Sequence, residues 1–168
     1  VLWAKNFKIP FRSNLKIIKN KIIAANQNND LYYINIKTGD SLKIIPTEEN
    51  QIKNKFVNNL STLENNLFFL NTYGSLYSVN NKSMRINWFI NLNQTIDLNP
   101  SNLFMGSQLI ANEKNIIVSS NRFLYVLNNT NGSIIFKKNF SSAIKPIMID
   151  DYLFLITKNN LLISLNLV

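Results

Sequence analysis

Leu31-Tyr32-Tyr33-Ile34-Asn35 returns three times along the chain, as Leu76-Tyr77-Ser78-Val79-Asn80, Leu124-Tyr125-Val126-Leu127-Asn128 and Leu162-Ile163-Ser164-Leu165-Asn166. Successive copies start 45, 48 and 38 residues apart. A second apolar run precedes each copy by eight or nine residues: Ile22-Ile23, Leu67-Phe68-Phe69, Ile116-Ile117-Val118 and Leu153-Phe154-Leu155. A near-constant offset of this size across a short polar turn is a β-hairpin. Further strands flank the hairpins, upstream at 14–18 and 146–149 and downstream at 86–89 and 134–137. Four strands per repeat of about forty residues is the period of a β-propeller blade.

The spacing therefore predicts an all-β chain of four-stranded antiparallel blades, about four blades' worth, with residues 1–168 forming a single propeller segment. Residues 1–7 read as the last strand of a preceding blade, 8–55, 56–102 and 103–140 as blades, and 141–168 as an incomplete blade. Val1-Leu2-Trp3-Ala4-Lys5-Asn6-Phe7 matches Ile134-Ile135-Phe136-Lys137-Lys138-Asn139-Phe140 position by position. Two polar stretches, Pro46–Lys55 and Asn93–Asn102, read as loops between units. Almost nothing reads as helix.

Composition narrows the chemistry. The 168 residues contain no Cys and no His, so a disulfide scaffold, a thiol nucleophile, Cys-ligated metals and a histidine base are all excluded. Nine Asp plus Glu remain for acid–base work against 18 Lys plus Arg, a net charge of +9. That charge is spread singly along the chain, with Lys137-Lys138 the only adjacent pair, so no specific nucleic-acid interface is indicated. The apolar runs reach four or five residues, too short for a membrane-spanning helix. There is no phosphate-cradling glycine loop and no G-x-S-x-G nucleophile elbow.

The repeats resemble the pyrroloquinoline-quinone-type propeller repeat, whose blades end in A-x-D-x-x-T-G-x-x-x-W. Tyr33, Asn35, Thr38, Gly39 and Lys43 fall on those five positions in the first unit. Ser78, Asn80, Ser83, Met84 and Trp88 do so in the second, and Val126, Asn128, Asn131, Gly132 and Phe136 in the third. The last unit supplies Ser164 and Asn166, and Trp3 ends a preceding motif. Asn35, Asn80, Asn128 and Asn166 are expected to cap turns by accepting backbone N–H groups. Gly39 and Gly132 are expected at positive φ, where Met84 is costly. Trp3, Trp88 and Phe136 are expected to pack between blades, a role Lys43 cannot take. All nine of these Asn, Gly and aromatic positions read as structural.

Two functions use this repeat. The quinoprotein dehydrogenases imply a quinone with calcium on the propeller axis, an Asp base, Glu, Asn or Asp ligands, and often a vicinal disulfide, which a chain without cysteine lacks. The non-enzymatic propeller lipoprotein of the outer-membrane β-barrel assembly machinery implies a rigid scaffold for protein partners without a cofactor. That group implies the periplasm or the periplasmic face of the outer membrane, with membrane association through other regions or partners. Asp30, Asp40, Glu48, Glu49, Glu64, Asp97, Glu113, Asp150 and Asp151 all fall in turns or loops, and the Asp150-Asp151 pair reads as a solvated hairpin turn. No catalytic, cofactor-binding or metal-binding residue is assigned, and the scaffold reading is preferred. A dehydrogenase fragment and a propeller binding a carbohydrate or other small ligand are the alternatives. The phase of the two ends, with Trp3 lacking its turn and Asn166 its aromatic partner, points to an excerpt of a seven- or eight-bladed ring. The other arrangement is a four-bladed ring whose ends share one blade.

Overall fold

The computed structural model describes residues 1–48, 57–93, 103–107, 109–142 and 144–168. These form four antiparallel sheets. Strands β1 (Lys16–Ile18), β2 (Lys21–Ala25), β3 (Leu31–Asn35) and β4 (Ser41–Ile45) make the first. The second contains β5 (Asn59–Leu63), β6 (Asn66–Leu70), β7 (Ser75–Asn80) and β8 (Arg85–Asn91). The third contains β9 (Ile110–Ala111), β10 (Asn115–Ser119), β11 (Leu124–Asn128) and β12 (Ile134–Lys138). The last has three strands, β13 (Ile147–Ile149), β14 (Tyr152–Ile156) and β15 (Leu162–Asn166). In every sheet the strands lie in chain order, so each blade is a simple meander. Most of the two expected inter-blade loops, together with Glu49 and Asp97, lies outside the described residues.

Three apolar layers sit between successive sheets. Ile23, Leu31 and Tyr33 of the first meet Leu60, Leu67 and Phe69 of the second. Phe68, Leu70 and Leu76 then meet Ile116, Val118 and Tyr125, and Ile117, Leu124 and Val126 meet Leu153 and Leu155. The middle strands are buried on both faces, which explains why β6 and β10 read as nearly continuous apolar runs. Each fully buried Leu, Ile or Phe contributes roughly 1.5–3 kcal/mol, so these layers hold the arc together.

The inner edge of the first blade is tied to the second by a side chain. Asn14, expected within a strand, instead uses its side chain as a substitute peptide group. Its Nδ2 donates to the Leu60 carbonyl and its Oδ1 accepts from the Leu60 N–H, both at 2.8 Å. That bridge stitches the first blade to the second and delays the start of β1 to Lys16. A β-bulge falls at the same repeat position in three blades, between Tyr33 and Ile34, Ser78 and Val79, and Val126 and Leu127. The extra residue re-aims the outer strand after each turn.

Candidate functional site

Three places gather polar side chains. The first is the turn joining the third and fourth strand of each blade. Asn35 Oδ1 accepts from the Lys37 N–H at 2.8 Å, Asn80 Oδ1 from Lys82 and Ser83 at 3.0 and 2.9 Å, and Asn128 Oδ1 from Thr130 at 2.8 Å. Asn166 Oδ1 accepts from the Val168 N–H at 3.1 Å. Gly39 and Gly132 have φ of +73° and +75°. The aromatic of one blade lies on the glycine of the next. A Cβ on Gly39 would come within 2.5 Å of the Trp3 ring, and one on Gly132 within 2.6 Å of the Trp88 ring. Trp3 Nε1 also donates to the Ile36 carbonyl at 2.9 Å, whereas Trp88 Nε1 is buried without a hydrogen-bond partner. Phe136 packs on the apolar layer between the third and fourth blades.

The junction between the first two blades, where Lys43 of the first unit replaces the aromatic and Met84 of the second replaces the glycine, is built differently. Met84 takes φ +53° and its side chain packs on the layer between the first two blades, the same layer that buries Tyr33 and Val79. A flexible thioether thus packs where the plate-on-glycine contact is missing. No local pattern could have revealed this, because Lys43 and Met84 are 41 residues apart.

The second place is a carboxylate latch between the first and second blades. Glu48 accepts from Asn71 Nδ2 at 2.7 Å, from Ser75 Oγ at 2.6 Å and from the Tyr77 hydroxyl at 2.6 Å. Asn71 Oδ1 meanwhile caps its own hairpin by accepting from the Tyr73 and Ser75 N–H groups. Asn26 does the same in the first blade, for Asn28 and Asp30. Burial pushes the Glu48 carboxyl up, but the hydrogen bonds from Ser75, Tyr77 and Asn71 outweigh it and hold the group below its ordinary value. Tyr77 is correspondingly raised, first by burial and then by its bond to Glu48. The sequence placed Glu48 in a loop. Its partners come from the next blade, so nothing near it in the chain announces the latch.

The third place is a cleft of about 500 Å³ on the inner rim, lined by Leu63, Ala111, Glu113, Lys114, Met148 and the Asp150-Asp151 turn. Asp150 has φ +51° and Asp151 pairs with Lys114 at 3.0 Å. Near the axis, Lys16 is held below its usual value by burial and by the neighbouring charge of Lys145. Among the described residues no three His, Cys, Asp or Glu side chains are placed to hold a metal ion. A calcium–quinone pair needs roughly six to eight oxygens converging on the cation. The cleft's donors do not fit that: of its three carboxylates Asp151 is committed to Lys114, Asp150 occupies a two-residue turn, and Glu113 alone is left, far short of such a set.

At the outer rim, β4, β8 and β12 each present a free edge. Lys43 stands in β4, and Lys137 and Lys138 in β12, charges of the kind that discourage edge pairing. The seven-residue β8 is different. After Arg85 it runs Ile86-Asn87-Trp88-Phe89-Ile90-Asn91 without a charge, with Ile86 42% and Phe89 64% exposed. Phe89 stacks on Tyr77 at 5.6 Å, and Tyr77 on Phe69 at 5.9 Å, so the exposed ring is held rigidly. Two aromatic residues at hairpin turns, Tyr73 and Phe123, are both partly covered. Lys137 Nζ sits 4.0 Å above the Phe123 ring.

No family model and no curated protein matches the sequence. Solved structures do match. BamB from Moraxella catarrhalis superposes with a TM-score of 0.74 at 12% identity, over 91% of this chain and 47% of BamB. The computationally designed Ika4 protein matches at 0.73 and 9% identity, over 99% of this chain and 96% of Ika4. Quinohemoprotein alcohol dehydrogenase ADHIIG from Pseudomonas putida HK5 matches at 0.70 and 7% identity, over 97% of this chain and 33% of the enzyme. The chain spans about half the length of BamB. These likenesses concern fold, and scaffold and enzyme share it. The fold is a β-propeller, similar to the propellers of BamB and of the quinohemoprotein alcohol dehydrogenase.

Proposed function

We propose that this chain is a non-catalytic propeller scaffold that holds protein partners in the bacterial cell envelope, on the periplasmic side, with outer-membrane protein assembly as its setting. The observation that carries the reading is the outer edge of β8: long, free of charge after Arg85, and flanked by the rigid exposed rings and methyls of Phe89 and Ile86. An extended segment of a partner adds to such an edge by main-chain hydrogen bonds, with alternate side chains setting specificity. The carboxylates support the same reading, because Glu48 is saturated by three donors and Asp151 is paired with Lys114. The envelope setting rests on the likeness to BamB in fold.

The test is titration of the isotope-labelled chain with an uncharged peptide of alternating apolar and polar residues, the pattern of transmembrane barrel strands. Amide shifts concentrated on Ile86–Asn91, and lost in Phe89→Lys, are the expected result. Shifts elsewhere or none would overturn the edge as the binding surface. Calcium-dependent quinone binding at micromolar concentration, or dye-linked alcohol oxidation, would replace the scaffold reading with the dehydrogenase one.

A further inference from the structure

At the outer rim, the junction between the first two blades departs from its neighbours. Gly132 of the third blade carries the Trp88 ring of the second, and Gly39 of the first carries Trp3. The matching aromatic and glycine positions here are Lys43 and Met84. Lys43 pairs with Tyr33 across β3 and β4, and Tyr33 belongs to the apolar layer between these two blades. Paired residues share a face of the sheet, so Lys43 is turned to the second blade. Phe89 pairs with Tyr77 and Ile86 with Val79, both members of the same layer, so Phe89 and Ile86 are turned to the first. Lys43 therefore stands across an outer groove from Met84, Ile86 and Phe89.

This groove lacks part of what its neighbours contain. Trp3 Nε1 donates to the Ile36 carbonyl, whereas the matching carbonyl of Asn81 accepts from Lys21 Nζ at 2.8 Å. The polar anchor of the absent ring is thus met by another side chain. Its apolar part is not replaced in full: Met84 packs on the layer beneath, while Ile86 and Phe89 stay exposed. The charge is one-sided as well. Asp40 and Glu48, which flank β4, are already held, by Lys5 at 2.7 Å and by Asn71, Ser75 and Tyr77. Lys43, Lys82 and Arg85 have no acidic partner among the described residues.

We propose that the strand captured by β8 is acidic, with an aromatic side chain opposite Phe89 and, toward the Arg85 end, a carboxylate that meets Lys43 and Arg85. This rests on the reading of β8 as a peptide-binding edge and specifies its partner. Side chains of an added strand alternate between its two faces, so an aromatic and a carboxylate two positions apart enter the same groove. The aromatic meets a ring that is already rigid, since Phe89 lies on Tyr77 at 5.6 Å. It covers apolar surface of the kind that a tryptophan of the chain covers at the neighbouring junctions. The carboxylate finds two cations without competing acids, and a lysine in its place meets like charge, so the groove rejects as well as attracts.

The experiment titrates the isotope-labelled 168-residue chain with three peptides of one alternating sequence, each with a tyrosine flanked two residues away by glutamate, glutamine or lysine. Amide shifts on Ile86–Asn91 report docking. The glutamate peptide should bind roughly three- to tenfold more tightly than the glutamine one, with the lysine peptide weakest and the differences narrowing in salt. Lys43→Glu, at an exposed position, should abolish the glutamate preference and leave the far-ultraviolet spectrum unchanged. Lys158→Glu alters the net charge equally but lies in the turn after β14, and should keep the preference. Docking on β8 without a charge preference, a preference that survives Lys43→Glu, or one lost equally in Lys158→Glu overturns this proposal and leaves the edge reading standing. Failure of all three peptides to shift Ile86–Asn91 overturns both.

Discussion

Trp88, on the outer strand of the second blade, lies against Gly132 in the turn of the third, so closely that a methyl group there would sit 2.6 Å from the ring. Gly132 also has φ +75°, a region that side chains rarely enter. Gly132→Ala is therefore expected to destabilise by about 2–4 kcal/mol, combining backbone strain with a displaced indole. Urea denaturation followed by tryptophan fluorescence checks it. A change below about 0.5 kcal/mol, the scale of ordinary surface substitutions, would show that the indole moves aside freely.

Tyr33 is fully buried and its hydroxyl donates to Asn81 Oδ1 at 3.1 Å, while Asn81 Nδ2 is buried with no partner. Burial pushes the Tyr33 hydroxyl up, so it remains a donor across the ordinary pH range. Tyr33→Phe leaves the Asn81 carbonyl unmet as well, and is expected to cost about 1–3 kcal/mol. Asn81→Leu in the same background should recover part of that loss, read as the thermal midpoint of the double variant against the single one.

Glu48 sets an acid-sensitive contact between the first two blades. Its folded carboxyl lies below its ordinary 4.5, so the native state binds fewer protons than the unfolded chain. The stabilisation is fully present above pH 4.5 and is lost as pH falls through the lower folded value. The Glu48 carboxylate is only half-buried and the residue as a whole keeps contact with solvent, so screening limits the effect to about 1 kcal/mol or less. Urea midpoints measured from pH 7 down to pH 3 should fall more steeply for the wild type than for Glu48→Gln. Parallel curves would show that the carboxylate carries no net stabilisation.

The Asn80 turn makes a separable test of capping. Its Oδ1 accepts from Lys82 and Ser83, so Asn80→Ala should cost about 1 kcal/mol and Asn80→Asp should be close to neutral. Equal losses in the two variants, read from thermal midpoints, would mean that the side chain's amide donors matter more than its oxygen.

How much of this was legible in the chain depends on the range of the interaction. The strands were readable because alternation, hairpin offset and turn chemistry are properties of neighbours within about ten residues. Asn35, Asn80, Asn128 and Asn166 bond to N–H groups two or three residues on, so their role follows from position in the repeat. The turns at Gly39 and Gly132 are of the same local kind.

Tertiary structure decided what depends on one blade facing another. Which glycine each tryptophan lies on, how Met84 packs beside a unit that lacks its aromatic, and how Asn14 bridges to Leu60 are contacts between blades. So is the fate of Glu48, whose partners Asn71, Ser75 and Tyr77 lie 23 to 29 residues further on. The repeat forms each sheet by local pairing. The distance, twist and stagger between sheets arise only when their apolar faces pack together, and that packing selects which distant side chains meet.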